Sequence, residues 1–122
     1  MNDIEAILRA LQTIRVPALP EESEIHEAVA EALAHAGIEA VHEFRIAPGR
    51  RIDFACGDVG IEIKKGRPRS AVLRGQLRRY LDGTPLRAVI LVSQLPCTLP
   101  EEICGKRVYT VSLTRLWGVA LH

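Results

Sequence analysis

Ile4, Ile7, Leu8, Leu11 and Ile14 recur at the spacing of one helical face and predict a helix over 3–15, with Asn2 or Asp3 as its N-cap. Val16-Pro17-Ala18-Leu19-Pro20 ends it. A second stripe, Ile25, Ala28, Val29, Ala32, Leu33 and Ala36, predicts a helix over 21–36 closed by Gly37. The period then changes. Positions 40–46, 51–56 and 59–65 read as three strands, separated by Ala47-Pro48-Gly49-Arg50 and by Gly57-Asp58. Val72, Leu73, Leu77 and Leu81 restore the helical period over 71–81, with Ser70 as N-cap and Asp82-Gly83 as the stop. Positions 86–93 are almost continuously apolar, as expected of a strand covered on both faces. Residues 95–105 read as a loop or short helix, 106–113 as a last strand and 114–121 as a short terminal helix or tail.

Three consecutive strands with tight turns form an antiparallel meander. A meander followed by a crossover helix and a further strand predicts an α/β fold: one mixed sheet flanked by helices on both faces. Within 122 residues this is one domain, with 1–20 as an N-terminal helical extension of a core at about 21–113. The first helix carries no polar constellation, so its expected role is packing or dimer formation.

Composition narrows the class. Nearly half the residues are apolar and a quarter charged, with few aromatics, so the core must be aliphatic. No apolar run approaches the ~20 residues of a membrane span, and the N-terminus lacks the pattern of a signal peptide, which makes a cytoplasmic location the expectation and excludes a membrane role. Cys56, Cys97 and Cys104 are odd in number and have no CxxC spacing, so buried free thiols are expected in place of disulfides or zinc.

The net charge of +1 conceals an asymmetry. Residues 1–44 carry two basic and nine acidic side chains; residues 45–87 carry eleven basic and four acidic ones. A middle third of net +7 fits a polyanionic partner, although a solvated face balanced by the acidic first third accounts for the charge equally well.

That basic third contains the one chemically unusual stretch. Asp53 lies inside the second predicted strand, and Glu62 and Lys64 inside the third, where a charge facing the core is costly unless it is paired or bound to a cation. Glu62 and Lys64, two residues apart, share a face, and the Gly57-Asp58 turn allows Asp53 to stand near Glu62. Neighbouring carboxylates repel unless a cation sits between them. Oxygen donors without a full cage suit Mg²⁺ or Mn²⁺, with the Ile63 carbonyl as a further ligand. Lys64 beside such an ion would work on a water or a phosphate oxygen. On the second helix, His26 shares an edge with Val29 and Leu33 and is the best-placed ligand, with Glu22 next. The plainer alternatives are ion pairs of Asp53 and Glu62 with Arg51 or Lys64, and a hydrogen-bonded His26. His35, His42 and His122 have no nameable partner, and Glu43 is a distant acid.

Asp53, eight intervening residues and then Glu62-Ile63-Lys64 across a strand hairpin resembles the signature of the PD-(D/E)xK nuclease superfamily, with Ile52-Asp53 in place of Pro-Asp. Gln76 and Tyr80, four residues apart on the following helix, resemble the Gln-x-x-x-Tyr element of its RecB-like branch, and His26 stands where that branch has a His before the meander. The resemblance covers about 21–93. It implies a restriction-endonuclease-like α-β-β-β-α-β core and hydrolysis of DNA phosphodiesters in repair, recombination or defence. It implies Mg²⁺ or Mn²⁺ at His26, Asp53, Glu62 and Ile63, with Lys64 acting on water or phosphate and Gln76 and Tyr80 supporting the site. The three cysteines are not placed for the iron–sulfur cluster of some relatives. Lys65, Arg67, Arg69, Arg74, Arg78 and Arg79 then read as phosphate contacts to DNA, with RNA left open. A homodimer or larger nuclease assembly is compatible with so short a chain. The competing reading is a nuclease-fold module that binds nucleic acid or a partner subunit and no longer cuts.

Overall fold

The computed structural model describes residues 3–17 and 19–113. Among these residues the order is α1 (Ile4–Leu11), α2 (Glu22–His35), β1 (Val41–Ala47), β2 (Arg50–Cys56), β3 (Val59–Lys64), α3 (Ser70–Leu81), β4 (Ala88–Ser93), β5 (Glu102–Ile103) and β6 (Lys106–Ser112). The strands form one mixed sheet in the order β1-β2-β3-β4-β6-β5. The meander β1-β2-β3 is antiparallel, as its short turns require, and α3 carries the chain to β4, which runs parallel to both β3 and β6. The α/β class and the mixed sheet flanked by helices are therefore as expected. The terminal segment predicted at 114–121 lies outside the described residues.

Capping explains most helix ends. Asp3 caps α1 by accepting the Glu5 N–H. That helix stops four residues short of its predicted end, because Thr13 and Ile14 bond back only three residues, to Ala10 and Leu11, and the Thr13 hydroxyl also takes the Ala10 carbonyl. Ile14 is nonetheless buried. α2 ends in a Schellman closure: Ile38 N–H reaches the Leu33 carbonyl, Gly37 N–H reaches that of Ala34, and Gly37 takes φ +74°. Ser70 is not the N-cap of α3. It is the first helical residue, after Arg69, and its hydroxyl donates instead to the Thr98 carbonyl, tying the helix start to the loop before β5.

The sheet separates two cores. On one face α1 and α2 bury Ile7, Leu11, Ile25, Val29 and Leu33 against Phe54, Ile61, Ile63, Ile90 and Val92. On the other, α3 buries Leu73, Leu77 and Leu81 against Ile52, Val89 and Leu91. β4 is buried along its whole length, which is why its sequence shows no alternation. α1 thus has the packing role expected of it. Gly60, on β3 between β2 and β4, has no room for a side chain: a Cβ there would stand 2.6 Å from Ile52 Cδ1 and 2.8 Å from Leu86 Cδ1, both buried. Gly60→Ala is expected to cost about 1–2 kcal/mol, seen as a lower urea midpoint at unchanged slope.

The thiols correct one expectation. All three are free, but only Cys56 is buried, and burial pushes its pKa up to about 11, which makes it inert. Cys97 is half-buried, and Cys104 is exposed in the turn between β5 and β6, where it takes φ +54°. No helix among the described residues is long and apolar enough to cross a membrane.

Candidate active site

Strict alternation would put Ile52 and Phe54 on one face of β2. They lie on opposite ones: Ile52 packs in the α3-side core and Phe54 in the α2-side core. The neighbouring strand does the same, since Phe44, paired with Ile52, packs on the α3 side while His42, paired with Phe54, stacks on that ring. The change of face falls at Glu43, with a left-handed φ of +57°, and at Asp53. The regular β2–β3 ladder ends there as well, at Phe54 opposite Ile61.

Carboxylates take over where the ladder stops. Asp53 Oδ2 accepts the Ile63 N–H at 2.8 Å, and Glu62 Oε1 accepts the Asp53 N–H at 3.3 Å. Two backbone donors that would otherwise be orphaned are thereby satisfied. The two acids are held side by side at the point where the hairpin opens.

Glu62 points to the α3 side and is 4% exposed. Its Oε2 accepts from Tyr80 Oη at 3.0 Å and from Gln76 Nε2 at 3.2 Å, and Gln76 Nε2 also donates to Tyr80 Oη at 3.0 Å. The i, i+4 spacing on α3 makes this clamp possible. Lys64 Nζ stands 3.6 Å from the same oxygen. Burial first, and then the charge of Asp53, raise the Glu62 pKa from 4.5 to about 7, against the opposing pull of Lys64, Tyr80 and the Asp53 N–H. Burial and the Glu62 carboxylate push the Tyr80 phenol above its usual range, so it remains a donor.

Asp53 looks the other way, into a groove of about 670 Å³ between α2 and β1. His26 Nε2 is 3.9 Å from Asp53 Oδ2. His26 Nδ1 is 3.2 Å from His42 Nε2, so His42 has a partner after all, correcting the sequence reading. The strand register, with its shift between Arg45 and Ala47, pairs His42 with Phe54, one residue from Asp53, and no local sequence signal marks that shift. Glu22 lines the same groove at its exposed rim.

The structure thus brings together Asp53, Glu62, Ile63, Lys64, Gln76 and Tyr80, with His26 on the opposite side of Asp53. The Ile63 contact to Asp53 is through its N–H. The basic residues divide. Arg74, Arg78 and Arg79 are exposed on α3, and Arg69 lines a groove with Lys64 and Gln76. Lys65 points instead to the α2 side, 3.9 Å from Glu21, and Arg67 donates to the Pro96 carbonyl, so neither belongs to the α3 cluster. Arg51, not among the phosphate contacts expected from sequence, lines a small cleft with Gln76, Arg79 and Tyr80. Among the described residues no three His, Cys, Asp or Glu side chains are arranged to hold a metal by themselves. Comparison with protein-family models, curated proteins and solved structures finds no match to this chain.

Proposed function

We propose that the chain is a divalent-metal-dependent nuclease of the PD-(D/E)xK type, RecB-like in its motifs, that hydrolyses DNA phosphodiester bonds. The observation that carries the reading is the meeting of Asp53, Glu62 and Lys64 at the opening of the β2–β3 hairpin, with Gln76 and Tyr80 clamped on Glu62. The order α2-β1-β2-β3-α3-β4 supports a restriction-endonuclease-like core.

The donors fit a hard cation. Two adjoining carboxylates, one with its pKa raised toward neutrality by burial and by the other's charge, form the kind of set that Mg²⁺ or Mn²⁺ occupies while keeping several waters. Asp53 and Glu62 would hold it, with the Ile63 carbonyl and, from the groove side, His26. When bound, the ion supplies a Lewis acid for the phosphate and a more acidic water. The side chains do the rest. Tyr80 and Gln76 fix the Glu62 carboxylate in one orientation. Lys64, 3.6 Å from Glu62, presents an ammonium to a phosphate oxygen or to the attacking water. Arg69, Arg74, Arg78 and Arg79, with Arg51 at the cleft, hold the DNA backbone without reading its sequence.

The test is incubation of the purified chain with Mg²⁺ or Mn²⁺ and duplex, single-stranded and branched DNA, and RNA. Chelator-sensitive cleavage of at least one DNA form is expected. Salt-dependent DNA binding with no cleavage of any form would replace this reading by that of a non-cutting module.

A further inference from the structure

Two imidazoles face each other across the α2–β1 groove. His26 enters from α2 and His42 from β1, and Nδ1 of the first stands 3.2 Å from Nε2 of the second. A single shared proton accounts for that distance. So does a chelated ion, since two nitrogens each about 2.0–2.1 Å from a tetrahedral cation lie about 3.3 Å apart. Both rings are already held. His42 stacks on Phe54 with centroids 4.6 Å apart and planes 20° from parallel. His26 turns its other nitrogen, Nε2, toward Asp53 Oδ2 at 3.9 Å, an electrostatic contact beyond hydrogen-bond reach. The groove is lined by Glu22, Glu27 and Glu43, whose charge attracts a cation, and among the described residues no third His, Cys, Asp or Glu is placed to join the two imidazoles as a ligand. Beside His42, Glu43 adopts φ +57°, a costly conformation for a residue with a side chain.

We propose that the His26–His42 pair is a binding site for a borderline transition-metal cation of the Zn²⁺ or Ni²⁺ class. His26 Nδ1 and His42 Nε2 are its ligands, and water completes the shell. Imidazole selects such ions over Mg²⁺. The site uses Nδ1 of His26, whereas an ion on the Asp53–Glu62 pair would take Nε2, the nitrogen toward Asp53; a neutral imidazole serves one or the other, and the proposal does not rest on the nuclease reading.

Calorimetric titration of tag-free, chelator-treated protein with Zn²⁺ reads the proposal without any cleavage assay. One equivalent is expected to bind. His26→Ala and His42→Ala should each weaken it at least as much as the ~10–100-fold that follows loss of an outer-shell partner. Both side chains border an open groove, and circular dichroism checks that the variants fold. Substoichiometric Ni²⁺ should broaden the ring resonances of both histidines in the unaltered chain. Cys104→Ser, which removes the exposed thiol, should bind as the parent does. Absence of saturable uptake would leave the pair a plain hydrogen bond and overturn the proposal. So would uptake that survives His42→Ala, that disappears with Cys104→Ser, or that is lost only in Glu62→Gln.

Discussion

Asp53→Asn is expected to lower DNA cleavage by about a thousandfold, since a metal-held charge stabilises the transition state by several kcal/mol and each 1.36 kcal/mol is tenfold in rate. The fold should be spared. Asp53 Oδ2 accepts the Ile63 N–H, and an asparagine oxygen accepts the same bond. What the variant loses is one negative charge beside Glu62, and that charge is among the causes that raise the Glu62 pKa. Stability at neutral pH should therefore stay within about 1 kcal/mol of the parent or rise slightly. Cleavage and chemical denaturation measured on one preparation check both halves. If Asp53 served only as a charge partner of His26, the substitution would leave cleavage unchanged, and that result would remove Asp53 from the site.

The elements were legible because their signals are local. The change from a 3.6-residue to a 2-residue period after Gly37, and back again at Val72, marks the helices and the meander, and Gly37 marks a helix end by the one conformation it tolerates better than other residues. Asp53, Glu62 and Lys64 stood out because charges inside apolar strands are rare. The missing parts depend on long-range geometry. Alternation predicts that Ile52 and Phe54 share a face, and nothing in their own sequence announces that β1 and β2 both change face between the 44–52 and 42–54 pairs. That change aims Asp53 into the α2–β1 groove and lays His42 on Phe54, next to His26. The same limit applies to the basic residues. Lys65 and Arg67 are close in sequence to Lys64, yet one follows the opposite face of the strand to Glu21 and the other turns to the Pro96 carbonyl. Ser70 resembled an N-cap by residue type, but its hydroxyl is taken by a loop 28 residues away.

Glu62→Gln should remove the pH dependence that Glu62 imposes on stability. An acid whose pKa rises on folding favours the folded state only while it keeps its proton. Below about 4.5 the side chain is protonated whether the chain is folded or not, and no penalty exists. Between 4.5 and about 7 the unfolded chain ionises while the folded one holds the proton, so stability falls as the pH rises; above about 7 the penalty is complete. At 1.36 kcal/mol per unit it amounts to about 3 kcal/mol. The glutamine carbonyl still accepts from Tyr80 and Gln76, whereas its amide faces the Asp53 N–H and forfeits that bond, at about 1 kcal/mol. The variant should therefore be about as stable as the parent at pH 5, where close to ~1 kcal/mol of the penalty is already present and offsets the lost bond, and about 2 kcal/mol more stable at pH 8, as read from urea denaturation at the two values. A parent whose stability rises over this interval, or a variant that keeps the parent's slope, would contradict the origin assigned to it. Mg²⁺ supplies the second half of the test. A cation between Asp53 and Glu62 offsets the repulsion that helps to raise the Glu62 pKa, so it should restore stability to the parent at pH 8 far more than at pH 5. It should do little for Glu62→Gln, in which one of the two carboxylates that would hold the ion is gone.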